Sequence, residues 1–118
     1  MMIETDMTIL DVESGIARLG GNKSLYIHLL KRFHENLNNG IPLLGVAPSA
    51  ESLKDFQREL HSLKGVSGNL SAIALYEGCS ALDASMKLGS PDQELYNNVI
   101  RICLETQNEV GKFLKENM

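Results

Sequence analysis

A histidine followed by a lysine at +3 and by glycines at +4 and +7 stands in the segment His61-Ser62-Leu63-Lys64-Gly65-Val66-Ser67-Gly68-Asn69-Leu70. The imidazole is a nucleophile, and an ammonium group one turn away on the same helical face stabilises an anion attached to the ring. A glycine inside a helix costs roughly 1 kcal/mol relative to alanine, so two of them beside one histidine call for a reason. Bare backbone next to a nucleophilic nitrogen lets a second large molecule approach closely. Nucleophile, nearby cation and cleared surface are together what a histidine that carries a phosphoryl group needs.

The element that positions this group is a helix. Leu53, Phe56, Leu60, Leu63 and Leu70 recur at offsets of three, four, three and seven, the period of one buried stripe. His61 follows Leu60 and so lies about 100° around the helix, at the edge of the stripe. Lys54, Gln57, Arg58, Lys64, Gly65 and Gly68 surround it on its own side, which is a solvated face.

The rest of the chain also reads as helices. Asp11 is the expected N-cap of a short helix to about Leu19, stopped by Gly20-Gly21. Asn22 can cap a second helix with apolar positions Leu25, Tyr26, Leu29, Leu30, Phe33 and Leu37, ended by Asn38-Asn39-Gly40. Pro42 and Pro48 punctuate the link that follows, with room for a helical turn at Pro42–Leu44, and Ser49 is the expected cap of the histidine helix. After Gly68-Asn69 a fourth helix runs through Ala72, Leu75, Cys79, Leu82 and Met86, with Ser71 as its expected N-cap. Gly89-Ser90-Pro91 breaks it, and a last helix uses Leu95, Val99, Ile102, Thr106, Val110 and Phe113. Strand signals are weak. The expected fold class is all-α: an up-down antiparallel four-helix bundle with a short additional N-terminal helix, one domain over residues 1–118 whose residues 1–10 form a flexible extension.

Composition narrows the function classes. With 118 residues and 43% hydrophobic content the chain is large enough for one core, and 22% charge fits a folded protein. A net charge of −4 argues against nucleic acid as a partner. No apolar run approaches the roughly 20 residues of a membrane helix, and residues 1–10 lack a signal-peptide pattern, so no direct membrane contact and a cytoplasmic location are expected. Cys79 and Cys103 fall in apolar repeats and read as buried free thiols. A carboxylate-bridged metal bundle requires Glu-x-x-His, yet the residues three before His28, His34 and His61 are Leu25, Lys31 and Arg58. No zinc-ligand spacing, strained serine nucleophile or glycine-rich nucleotide loop is present, so direct use of ATP is not expected. His28 and His34 read as plain surface histidines.

The stretch HSLKGVSGNLSA resembles the signature of histidine-containing phosphotransfer (HPt) domains: an acceptor His, Lys at +3, Gly at +4 and +7, and often Gly at +10. Asp11–Phe33 is similar to the N-terminal helices of HPt domains attached to hybrid sensor kinases, and Leu75 with Cys79–Asp83 is similar to the family's fourth helix. Ser71 departs from the usual glycine at +10. The resemblance implies a phosphorelay intermediate of two-component signalling, a monomer that works alone or in cis with a hybrid sensor histidine kinase. His61 would accept a phosphoryl group from a receiver-domain aspartate of a response regulator and pass it to another receiver. Lys64 would stabilise it, Gly65 would admit the partner, and Gln57, Arg58 and Gly68 would flank the contact, with Leu37 or Ile41 as further apolar contacts. No cofactor is implied for the chain, with Mg²⁺ expected on the receiver. As a phosphocarrier it would show little turnover alone. The competing expectation is an HPt-like module that docks a receiver or kinase without accepting phosphate.

Overall fold

A computed structural model describes residues 8–44, 53–89 and 92–117. Five helices account for most of them: α1 (Val12–Arg18), α2 (Lys23–Leu44), α3 (Leu53–Asn69), α4 (Ile73–Lys87) and α5 (Gln93–Glu116). Among the described residues there is no strand, as the all-α expectation requires. The long helices α2 to α5 form the bundle, with α5 packed on both α2 and α4, α3 chiefly on α4, and α3 only lightly on α2. Side-chain contacts of Asn38 with Gln107, and of His34 with the backbone at Gly111, show that α2 and α5 run antiparallel.

The core follows the apolar stripes. Tyr26, Leu30 and Phe33 of α2 meet Phe56 and Leu60 of α3, Leu75, Cys79 and Leu82 of α4, and Val99, Cys103 and Val110 of α5. The hydroxyls of buried Ser67 and Thr106 donate to the carbonyls of Leu63 and Ile102, each at 2.7 Å, so neither is left unpaired. Both cysteines are free and buried, and burial pushes each thiol up to about 12. For Cys79 the neighbouring Cys103 adds to that rise.

Two predicted caps are formed. Asp11 Oδ1 accepts from the Ser14 amide at 3.1 Å, and Asn22 Oδ1 from the Leu25 amide at 3.0 Å. Asp92 caps α5 in the same way through the Leu95 amide at 3.1 Å.

The second helix overruns its predicted stop. Asn38, Asn39 and Gly40 are weak helix formers, but α2 continues to Leu44, absorbing the turn expected at Pro42–Leu44, because Leu37 is buried and Asn38 meets Gln107 on α5. Packing along α5 outweighs local propensity here. Leu25, expected in the stripe, is 39% exposed. The expected cap at Ser49 and the residues around Pro48 lie outside the described residues.

The N-terminal segment is attached to the bundle before α1 begins. The Thr8 carbonyl accepts from the Ala74 amide at 3.0 Å, and Ile9 and Leu10 pack against the core. An extension over residues 1–10 is therefore too long at its C-terminal end, and residues 1–7 lie outside the described residues. The Asp11 amide donates to the Ser71 carbonyl at 2.9 Å, which ties α1 to the turn between α3 and α4. Tyr26 adds a second tie. Its ring lies against Gly15 of α1, meets Phe113 of α5 edge-on at 6.1 Å, and its hydroxyl donates to the Leu70 carbonyl at 2.9 Å. Burial, with the Asp11 carboxylate nearby, pushes the Tyr26 phenol up to about 12.

Candidate functional site

The buried residues Phe56, Leu60 and Ser67 fix the rotation of α3, which leaves His61 exposed at the margin of its buried face. Lys54 and Arg58 precede it on the exposed face, and Gly65 follows one turn on. A side-chain carbon placed at Gly65 would meet nothing within 4 Å. The bundle does not need that glycine, and its missing side chain leaves open surface beside the imidazole.

Gly68 serves another purpose. A side-chain carbon there would lie 3.1 and 3.2 Å from Cδ1 and Cε1 of Tyr76, so the glycine makes room for a ring projecting from α4. That ring in turn carries the lysine: Lys64 Nζ lies 5.8 Å from the Tyr76 ring centroid. Lys64 is half-buried against α4, whereas His61 is exposed. Gly68, Tyr76 and Lys64 thus form a stack that holds an ammonium on the side of α3 nearest α4, one turn beyond the histidine.

Gln57 is half-buried on the same side of α3 as Lys64. Arg58 is exposed on the other side, and its guanidinium meets the Asp55 carboxylate at 3.3 Å. Both partners are solvated, so that pair is worth at most a fraction of a kcal/mol and leaves Arg58 easily recruited. Leu37, expected among the apolar contacts, is buried in the core, and the side chain of Ile41 lies outside the described residues. His28 is exposed at a distance in sequence and on another helix; His34 is half-buried, with Nε2 facing Gly111.

The turn after the site corrects one expectation and explains one departure. Ser71 does not cap α4: the cap position is Ala72, with no side-chain cap bond. Ser71 instead has φ +60°, in the left-handed region, which is why glycine suits this position. Its hydroxyl hydrogen-bonds the Ser14 hydroxyl of α1 at 3.1 Å, offsetting part of the backbone strain.

Tyr76 was not legible in the motif. It stands eight residues beyond Gly68, across the turn, and flanks the apolar stripe of α4. The pairing of a helical glycine with an aromatic on the next helix is the only sequence sign of it.

A family model described as the Hpt domain matches residues 28–110 of the chain, a span that runs from α2 through α3 and α4 into α5. The chain belongs to the HPt domain family. HPt domains are helical bundles that carry out histidine phosphotransfer in two-component signalling and interact with receiver domains, and this sets the function class of the protein. No curated protein and no solved structure matches the chain significantly. Among the described residues, no helix is long and apolar enough to cross a membrane.

Proposed function

We propose that His61 is the phosphoacceptor of this HPt domain, receiving a phosphoryl group from the phosphoaspartate of one receiver domain and giving it up to the aspartate of another. The observation that carries this is the open surface at Gly65, one turn from an exposed histidine, in a helix that would be more stable with alanine there.

The transfer needs little from the bundle beyond position. The lone pair of the exposed imidazole nitrogen attacks phosphorus in line as the phosphorus–oxygen bond to aspartate breaks, and the carboxylate leaves with that bonding pair. A nitrogen–phosphorus bond has then replaced an oxygen–phosphorus bond, and the reverse sequence delivers the group onward. Charge on the equatorial oxygens is met by Lys64, carried beside the site on the Tyr76 ring, and by Arg58 once it leaves Asp55. Mg²⁺ and the remaining stabilising groups belong to the receiver, and the chain itself requires no cofactor. Leu60 is fully buried and sets the direction of its neighbour.

Incubation with a phosphorylated receiver, followed by measurement of acid-labile phosphate on the chain, tests the proposal. His61→Gln should abolish acceptance while leaving the helical content intact. Equal acceptance by the variant would refute the assignment. A receiver that binds wild type but never transfers phosphate to it would favour a docking module instead.

A further inference from the structure

Beside the site, α1, the end of α3 and the start of α4 enclose a cavity of about 440 Å³, lined by Ser14, Arg18, Gly65, Gly68, Asn69 and Tyr76 among others. It begins at Gly65, roughly 6 Å along α3 from His61 at 1.5 Å per residue. Tyr76 is shared: its ring supports Lys64 and also forms part of the cavity wall. Among the described residues no acidic residue lines it, so Arg18 is the one charged residue on its wall. The chain as a whole carries a net charge of −4, which makes a cation-only recess next to the histidine a local exception.

The recess is held in a fixed relation to α3. The Asp11 amide bonds the Ser71 carbonyl at 2.9 Å, and the Ser14 and Ser71 hydroxyls bond each other at 3.1 Å. Two hydroxyls sharing one hydrogen bond leave one proton free to donate. Arg18 therefore projects from a short helix whose start is bonded to the turn ending α3, beside a hydroxyl pair able to donate to an anion.

We infer that this cavity is a second contact for the receiver domain, in which a carboxylate side chain of the receiver is taken by Arg18 while its phosphoaspartate meets His61. The inference rests on the function proposed above. A guanidinium fork with a hydroxyl donor beside it matches a carboxylate, and the bare backbone of Gly65 joins the two contacts into one surface. Arg18 then acts on receiver affinity, and the chemistry at His61 does not depend on it.

The experiment compares wild type, Arg18→Lys and Arg18→Glu, with transfer from a phosphorylated receiver followed by rapid quench over a range of receiver concentrations. Arg18 is exposed in the last turn of α1, so the variants should fold, and their circular dichroism should match wild type. Losing and then reversing a charge-assisted contact should raise the half-saturating receiver concentration of Arg18→Glu by about tenfold or more, with the limiting rate unchanged and Arg18→Lys intermediate. Raised salt should narrow the gap between variants.

Phosphoramidate supplies the control, because this small donor labels histidine without a receiver: its phosphorus–nitrogen bond breaks, ammonia leaves, and the imidazole takes the phosphoryl group. All three proteins should be labelled at one rate. Half-saturation unchanged in Arg18→Glu would overturn the inference, as would a matching loss of phosphoramidate labelling. A wild type that accepts phosphate from neither donor would instead overturn the function on which it rests.

Discussion

Gly65→Ala separates the needs of the fold from the needs of the site. Residue 65 lies inside α3, and a side-chain carbon there would meet nothing within 4 Å. No clash opposes the helix-propensity gain, so the variant should be more stable than wild type by about 0.8–1 kcal/mol. For a domain of this size that is a rise in Tm of roughly 3–6 °C. Transfer should move the other way. The added methyl group sits where a docked receiver would lie, and inserting a group into a packed contact costs about 1–3 kcal/mol. At 1.4 kcal/mol per decade that slows transfer from the receiver by about 5- to 150-fold. Calorimetry gives the first quantity and rapid-quench transfer the second, with phosphoramidate labelling as a receiver-independent control that should stay at the wild-type rate. Wild-type transfer by a stabilised Gly65→Ala protein would refute the role assigned to this glycine. A destabilised variant would refute the claim that the space around it is empty.

Three further outcomes follow from the same geometry. At Gly15 an added carbon would lie 2.3 Å from Tyr26 Cε1, against a ring held by Phe113 and by the Leu70 carbonyl, so Gly15→Ala should lose about 2–4 kcal/mol in urea unfolding; a loss below about 0.5 kcal/mol would contradict that packing. The Tyr26 phenol is raised to about 12 in the fold from 10.0, so the folded state keeps a proton that the unfolded chain releases first. That contribution is fully present below pH 10 and is lost as pH rises through about 12; alkaline unfolding of Tyr26→Phe should show a shallower fall over this window. Tyr76→Leu removes the platform under Lys64 and should slow transfer about 2- to 5-fold, an effect expected to be absent from Tyr76→Phe and to vanish in a Lys64→Ala background, as a coupling measurement would reveal.

Much of this was legible in the sequence because single stripes and side-chain caps are local signals. The apolar period of α3 located His61 at the margin of a buried face, and Asp11 and Asn22 announced their helices through hydrogen bonds made three residues on. The parts that sequence did not disclose depend on a neighbouring element. Packing on α5 carries α2 past Asn38-Asn39-Gly40, and a bond to Ser14 with a left-handed backbone makes Ser71 a turn residue and not a cap. The two glycines beside His61 looked alike in sequence, yet they diverge in the fold. Gly65 faces open space, while Gly68 yields its space to Tyr76, so the lysine's support came from a residue outside the motif.

Under the proposed function, phosphate arriving from a receiver resides on one particular histidine of the three in the chain. The most direct test is to load the protein from a phosphorylated receiver, digest it above neutral pH to preserve phosphohistidine, and map the modified residue by mass spectrometry. The expected result is a phosphoryl group on His61 and none on His28 or His34. Phosphate on either of those two, or none on His61 under conditions in which the receiver is bound, would contradict it.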